Sequence, residues 1–129
     1  YVELAYVIQT QMQQAYLKNK NGKFLQASQD GATQAAAQTS GLSPTNFSIT
    51  DAPGDASYPI ATFTWAILKK DQADATKGKA LVNLFNWLIS PAGQANGKDL
   101  QYAPIPKPVS DLGVSYLKSI TSAGKPILP

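Results

Sequence analysis

The stretch Ser57-Tyr-Pro-Ile-Ala-Thr-Phe-Thr-Trp-Ala-Ile-Leu-Lys-Lys-Asp-Gln72 decides how the rest of the chain is read. Pro59 fixes its own φ at about −65° and pushes Tyr58 into an extended conformation. From Ile60 to Leu68 nearly every residue is apolar or β-branched, the pattern of a central strand covered on both faces. Lys69-Lys-Asp-Gln72 ends the run with charge. Taken by themselves, these residues describe an ordinary proline at a strand start, with no need of a hinge.

Downstream, Ala73 to Ile89 carries the strongest helical pattern. Asp71 or Asp74 can cap it, and Leu81, Leu84, Phe85 and Leu88 share one face at i, i+3, i+4 and i+7. Ser90-Pro91 interrupts the pattern, and a second short helix follows through Ala95. The segment Tyr102-Ala-Pro-Ile-Pro-Lys-Pro-Val109 is too rich in proline to continue it. A last helix, about Lys107 to Ile120, presents Val109, Leu112, Tyr116 and Ile120 on one side. The tail from Gly124 to Pro129 reads as loop.

Upstream, Tyr1 to Ile8 is dense in β-formers and reads as a buried strand that can run into a helical turn by Met12. Ala15 to Lys20 and Lys23 to Ala27 flank Asn21-Gly22, a dipeptide suited to a type I′ hairpin turn. Ser28 to Gln38 is helical, with Ser28 or Asp30 as cap and alanines that favour the helix without supplying much core. Gly41 to Asp55 is loop, with Phe47 and Ile49 as a short apolar contact and a turn at Asp51-Ala-Pro-Gly-Asp55.

The 129 residues, 43% hydrophobic, suffice for one modest core, and no run approaches the roughly 18 apolar residues of a membrane span. The net charge of +3 comes from eleven lysines against eight acids, with no arginine or histidine. Scattered lysines without arginine describe a solvated surface rather than a nucleic-acid site, which relies on arginine forks. The chain has no cysteine, so it can hold neither a disulfide nor a thiolate site, and without histidine it lacks an imidazole base. Its carboxylates form no calcium-loop pattern, and its glycines form no phosphate-cradling loop. An enzyme is disfavoured. Trp65, Tyr58, Phe63 and Trp87 read as core aromatics rather than a stacking platform, and Lys69-Lys70 as solvated charge.

In order and spacing, the Ser57–Gln72 and Tyr102–Val109 segments, together with Tyr1-Val-Glu-Leu-Ala-Tyr6, resemble the C-terminal part of the periplasmic phosphate-binding proteins of bacterial phosphate ABC transporters. The resemblance implies an α/β chain, part of a two-lobed periplasmic-binding-protein fold (type II-like) with mixed sheets flanked by helices. It divides the chain into the end of the second lobe (1–55), an interlobe crossover (56–60, centred on Tyr58, Pro59 and Ile60) and the closing part of the first lobe (61–129). It implies phosphate capture for ABC-transporter uptake, with this chain supporting cleft and hinge. The family's phosphate ligands lie on segments upstream of Tyr1, so none is expected in this chain, and no cofactor is implied. The implied partners are the phosphate ion, held with the upstream portion, and the membrane permease; the implied location is periplasmic, with any export signal upstream. Isolated, the chain is expected to self-associate through uncovered apolar edges. A receptor for sulfate or molybdate, or a stand-alone interaction or adhesion module, are the rival readings.

Overall fold

A computed structural model describes residues 1–128. Along them run α1 (Leu4–Thr10), β1 (Leu17–Lys18), β2 (Phe24–Leu25), α2 (Gln29–Gln38), α3 (Ala75–Leu88), α4 (Pro91–Ala95), α5 (Lys107–Lys118), β3 (Thr121–Ser122) and β4 (Lys125–Pro126). The mixture of helices and small sheets agrees with the α/β expectation, but the sheets are two antiparallel hairpins, β1–β2 and β3–β4.

The anticipated central strand does not form. Ile60 lies in a turn, residues 61–68 join no helix or ladder among the described residues, and most of the segment is open to solvent, with Ile67 96% exposed. β-propensity is a preference for packing on a pleated surface, and without neighbouring strands these residues have no such surface. Trp65 and Trp87 are accordingly about half exposed rather than buried in a core. Trp65 is held by Phe47 (ring centroids 4.6 Å apart) and by an edge contact with Phe63 at 5.4 Å.

The N-terminal segment departs from expectation for the same reason. Leu4–Thr10 is a helix with no buried residue, not a strand. With no described strand beside it, the segment satisfies its peptide groups locally, and Gln11, in the left-handed region at φ 54°, closes it: the Gln11 N–H donates to the Ile8 carbonyl and the Met12 N–H to the Val7 carbonyl.

Side-chain caps start α2, α3 and α4. Ser28 accepts from the Gly31 N–H, Asp74 from those of Thr76 and Lys77, and Ser90 from that of Gly93. Asp71 serves elsewhere, taking the Thr121 hydroxyl at 2.7 Å. Two apolar clusters follow. The first joins Ala35 and Ala36 of α2 to Ile49, Ala52 and Ala61, flanked by Ala32, Leu42, Phe63 and Val109. The alanines of α2 therefore do supply core, because their short side chains let the 49–61 segment lie close to the helix. The second joins Val82, Leu117 and Ile120, flanked by Leu68, Phe85, Ile89, Ile127 and Leu128.

In α3 the buried stripe is rotated from the anticipated one. Gly78 and Val82 are covered and Phe85 is half-buried, while Leu84 and Leu88 face outward. Gly78 sets this rotation: a β-carbon there would lie 2.8 Å from Gln72 Cβ and 2.9 Å from Ile127 Cδ1, so the helix is pressed on that side. In α5 the buried positions are Leu117 and, just past its end, Ile120, while Tyr116 is partly exposed. The helix α4 folds back on the end of α3, where a β-carbon on Gly93 would sit only 2.2 Å from the Trp87 carbonyl oxygen. Gln94 then ties the proline-rich return to that corner: its Nε2 donates to the Leu88 carbonyl and its Oε1 accepts from the Ile105 N–H.

The tail contains a hairpin where loop was expected. Its turn residues Ala123 and Gly124 both have positive φ, 50° and 74°, the type I′ pattern, and Thr121 pairs with Pro126. The first hairpin is the converse: at Asn21-Gly22 only Gly22 has positive φ (82°), and the Gly22 N–H donates to the Asn19 carbonyl, so the turn spans Asn19 to Gly22 and is not type I′.

An alanine in the left-handed region is strained, by about 1–2 kcal/mol for an L-residue in general and less for asparagine. Ala123→Asn is expected to stabilise the β3–β4 hairpin by about 0.5–1 kcal/mol, read as stronger hydrogen-exchange protection of the Ile127 amide, which donates to the Ile120 carbonyl.

Candidate functional site

Three acids or other ligating side chains close enough to hold a metal ion do not occur among the described residues. A small, partly open crevice among the described residues has a volume of about 40 Å³, room for roughly one water. It lies between α2 and the return segment, against Ala36, Phe63 and Pro104, and its polar walls are Thr33 and Thr62, with Thr33 already donating to the Pro104 carbonyl. The first-turn donors of α2, α3 and α4 bonded by Ser28, Asp74 and Ser90 are occupied, and at α3 the cap is a carboxylate, which repels an anion. These groups offer no ready cradle for an oxyanion.

The residues singled out from sequence, Tyr58, Pro59 and Ile60, sit where the start of α2 and the loop at Asp51 meet. Tyr58 is half-buried, Pro59 buried and Ile60 68% exposed, and Ala61 returns at once to the first apolar cluster. Two backbone bonds hold the step. The Tyr58 N–H donates to the Gly31 carbonyl at 3.1 Å, and the Asp51 N–H donates to the Pro59 carbonyl at 2.9 Å. Gly31 lies so close that a β-carbon on it would stand 3.0 Å from Tyr58 Cβ. Ser57, only 1% exposed, donates its hydroxyl to the Pro53 carbonyl at 2.6 Å and its N–H to the Gly54 carbonyl.

Sequence reading missed the other half of this junction. Asn19, 4% exposed, donates through its side-chain nitrogen to the carbonyls of Gly54 (3.0 Å), Asp55 (3.0 Å) and Ser57 (3.2 Å). Its side-chain oxygen accepts from the N–H groups of Asn21 and Lys23. Around it, Asn21 Nδ2 donates to Asp55 Oδ1 at 2.9 Å, the Gly54 N–H donates to Asn21 Oδ1, and Lys23 Nζ stands 3.8 Å from Asp55. The ion pair is exposed and adds little by itself. The spacing Asn19-x-Asn21-Gly22 was the available signal, since asparagine side chains bond backbone two residues on, but only the fold brings Gly54 to Ser57 against it. Farther along, the exposed segment is fixed at its far end: Thr121 donates its N–H to the Lys70 carbonyl, and Gln72 donates to the Thr121 carbonyl.

No family model matches the chain. Curated relatives do. The phosphate-binding protein PstS of Xylella fastidiosa (strain 9a5c) is 35% identical over 108 residues, 82% of this chain and 29% of that protein. The phosphate-binding protein PstS of Pasteurella multocida is 32% identical over 111 residues, covering 84% of this chain and 32% of the relative. The phosphate-binding protein PstS of Methanocaldococcus jannaschii is 29% identical, over 93% of this chain and 34% of its own length. The chain belongs to the PstS phosphate-binding protein family. It spans about a third of the length of the curated relatives it matches, consistent with a C-terminal portion. The junction at Tyr58-Pro59-Ile60 is thus a feature of a PstS-family chain, and its geometry explains why glycine stands at position 31.

Gly31→Ala exchanges a helix-propensity gain of about 1 kcal/mol for a collision with Tyr58 Cβ, which sits on backbone and cannot swing aside. Overpacking costs about 1–3 kcal/mol, so net destabilisation is expected, with weakened protection of the Tyr58 amide in hydrogen exchange.

Proposed function

We propose that the chain is the portion of a phosphate receptor that supports the cleft and the hinge, in a protein that captures inorganic phosphate for an ABC transporter outside the cytoplasm. The similarity to phosphate-binding proteins over 82% of the chain carries this reading. In it, residues 1–55 complete the second lobe, 56–60 cross between lobes, and 61–129 close the first lobe. The phosphate ligands lie on segments upstream of Tyr1, and the membrane permease is the partner that accepts the loaded receptor. A binding role rather than catalysis accords with the relatives' names as binding proteins.

Two observations support the reading. Side chains of the chain itself occupy first-turn donors of α2, α3 and α4, so these three helix starts are already engaged. The chain also exposes 8914 Å², against about 6,600 Å² for a compact monomer of its 13.7 kDa mass. That surplus includes apolar faces on residues 60–68, α1 and the outer side of α3, surfaces that the rest of a two-lobed receptor would cover. No described helix is long and apolar enough to cross a membrane.

Titration calorimetry separates this reading from its rivals. Residues 1–129 alone are expected to show no phosphate binding tighter than about 1 mM, whereas the same residues with their encoded upstream segment bind at micromolar concentration or below, a gain of at least ~4 kcal/mol. Micromolar binding by residues 1–129 alone overturns the supporting role. Preference of the extended chain for sulfate or molybdate transfers the assignment to another oxyanion. A monodisperse monomer of residues 1–129 with one cooperative unfolding transition points to a stand-alone module.

A further inference from the structure

The Asn19 carboxamide takes part in five hydrogen bonds while almost wholly buried, and the two ends of the group face different parts of the chain. The oxygen serves the β1–β2 turn by accepting from Asn21 and Lys23. The nitrogen serves the loop that precedes Tyr58 by donating to Gly54, Asp55 and Ser57. We infer that Asn19 is a positioning residue for the Tyr58-Pro59-Ile60 step: it locks the direction in which the chain leaves the α2 half to the orientation of the first hairpin.

The chemistry is selective. Three carbonyl oxygens converge on one point, which only a donor can occupy, while two N–H groups converge on the other end, which only an acceptor can occupy. A side-chain amide provides both on one planar group, and a buried site makes the loss of either end costly. Because Ser57 lies in the gripped loop and Tyr58 is bonded to Gly31, the Asn19 contact and the α2 contact fix the step from two sides. A change in hairpin orientation therefore reaches residues 58–60 directly. The functional consequence, an altered lobe-closing equilibrium, rests on reading residues 56–60 as an interlobe crossover; the mechanical coupling does not.

Asn19→Asp tests the two ends separately. The variant keeps the acceptor for Asn21 and Lys23 but turns a carboxylate oxygen toward three carbonyls. Amide exchange by NMR on the chain with its encoded upstream segment is expected to show protection falling about tenfold or more at Tyr58 and Asp51, with Gly22, Lys23 and the α2 amides changed less than about twofold. Asn19→Ala is expected to lose protection in both places. Unchanged protection at Tyr58 and Asp51, or a uniform loss at every amide, overturns the inference, the second because it describes a merely stabilising residue. If Asn19→Asp does not fold, Asn21→Ala removes only the outer bonds to Asp55 and Gly54. It is expected to loosen Gly54 and Tyr58 a few-fold without affecting α2, and no change there counts against the coupling. Phosphate binding by the native extended chain tests the proposed function alone, and the exchange result stands or falls without it.

Discussion

The peptide groups of residues 60–68 must find hydrogen-bond partners, and no ladder among residues 1–128 provides them. Everything else is arranged around that vacancy of pairing. A strand takes its stability from neighbours on both sides, so a segment with strand-like side chains and no neighbour stays extended and solvated. The chain then condenses around two separate clusters, one on α2 and one between α3 and α5, which the extended segment joins. Its ends are well fixed, by Gly31, Asp51 and the Asn19 network at one side and by Thr121 at the other, while in its middle Trp65 is held by tilted and edge contacts with Phe47 and Phe63.

Local chemistry is the part that was legible from residues. Helix starts were legible because a cap is decided within three residues: of Ser28 or Asp30 the cap is Ser28, of Asp71 or Asp74 it is Asp74, and Ser90, read as an interruption, caps the short helix that follows. The first hairpin was legible as a hairpin, but its turn type was not, since the Asn19 side chain favours an alternative closure. The Ala123-Gly124 hairpin escaped notice because alanine gives no signal for a left-handed turn. The face of α3 was misjudged because four large side chains outvote one glycine by pattern, whereas in space the glycine permits the close approach.

The candidate junction was legible in part. Tyr58-Pro59 advertises a stiff step by backbone restriction alone. Its fastening was only partly visible, because its bonds to Gly31 and Asn19 span 27 to 38 positions and pair polar groups whose spacing carries no periodic signature. The resemblance to phosphate-binding proteins came from the order of whole segments, and the curated relatives agree with it over most of the chain.

The first cluster is built almost entirely from methyl groups: Ala35, Ala36, Ala52 and Ala61 surround a single large side chain, Ile49. Such a nucleus brings backbones close but removes little oily area from water, whereas the other nucleus buries valine, leucine and isoleucine. The two halves are therefore unequal foldons: on gentle warming the alanine-lined half opens first, while α3 and α5 stay clasped.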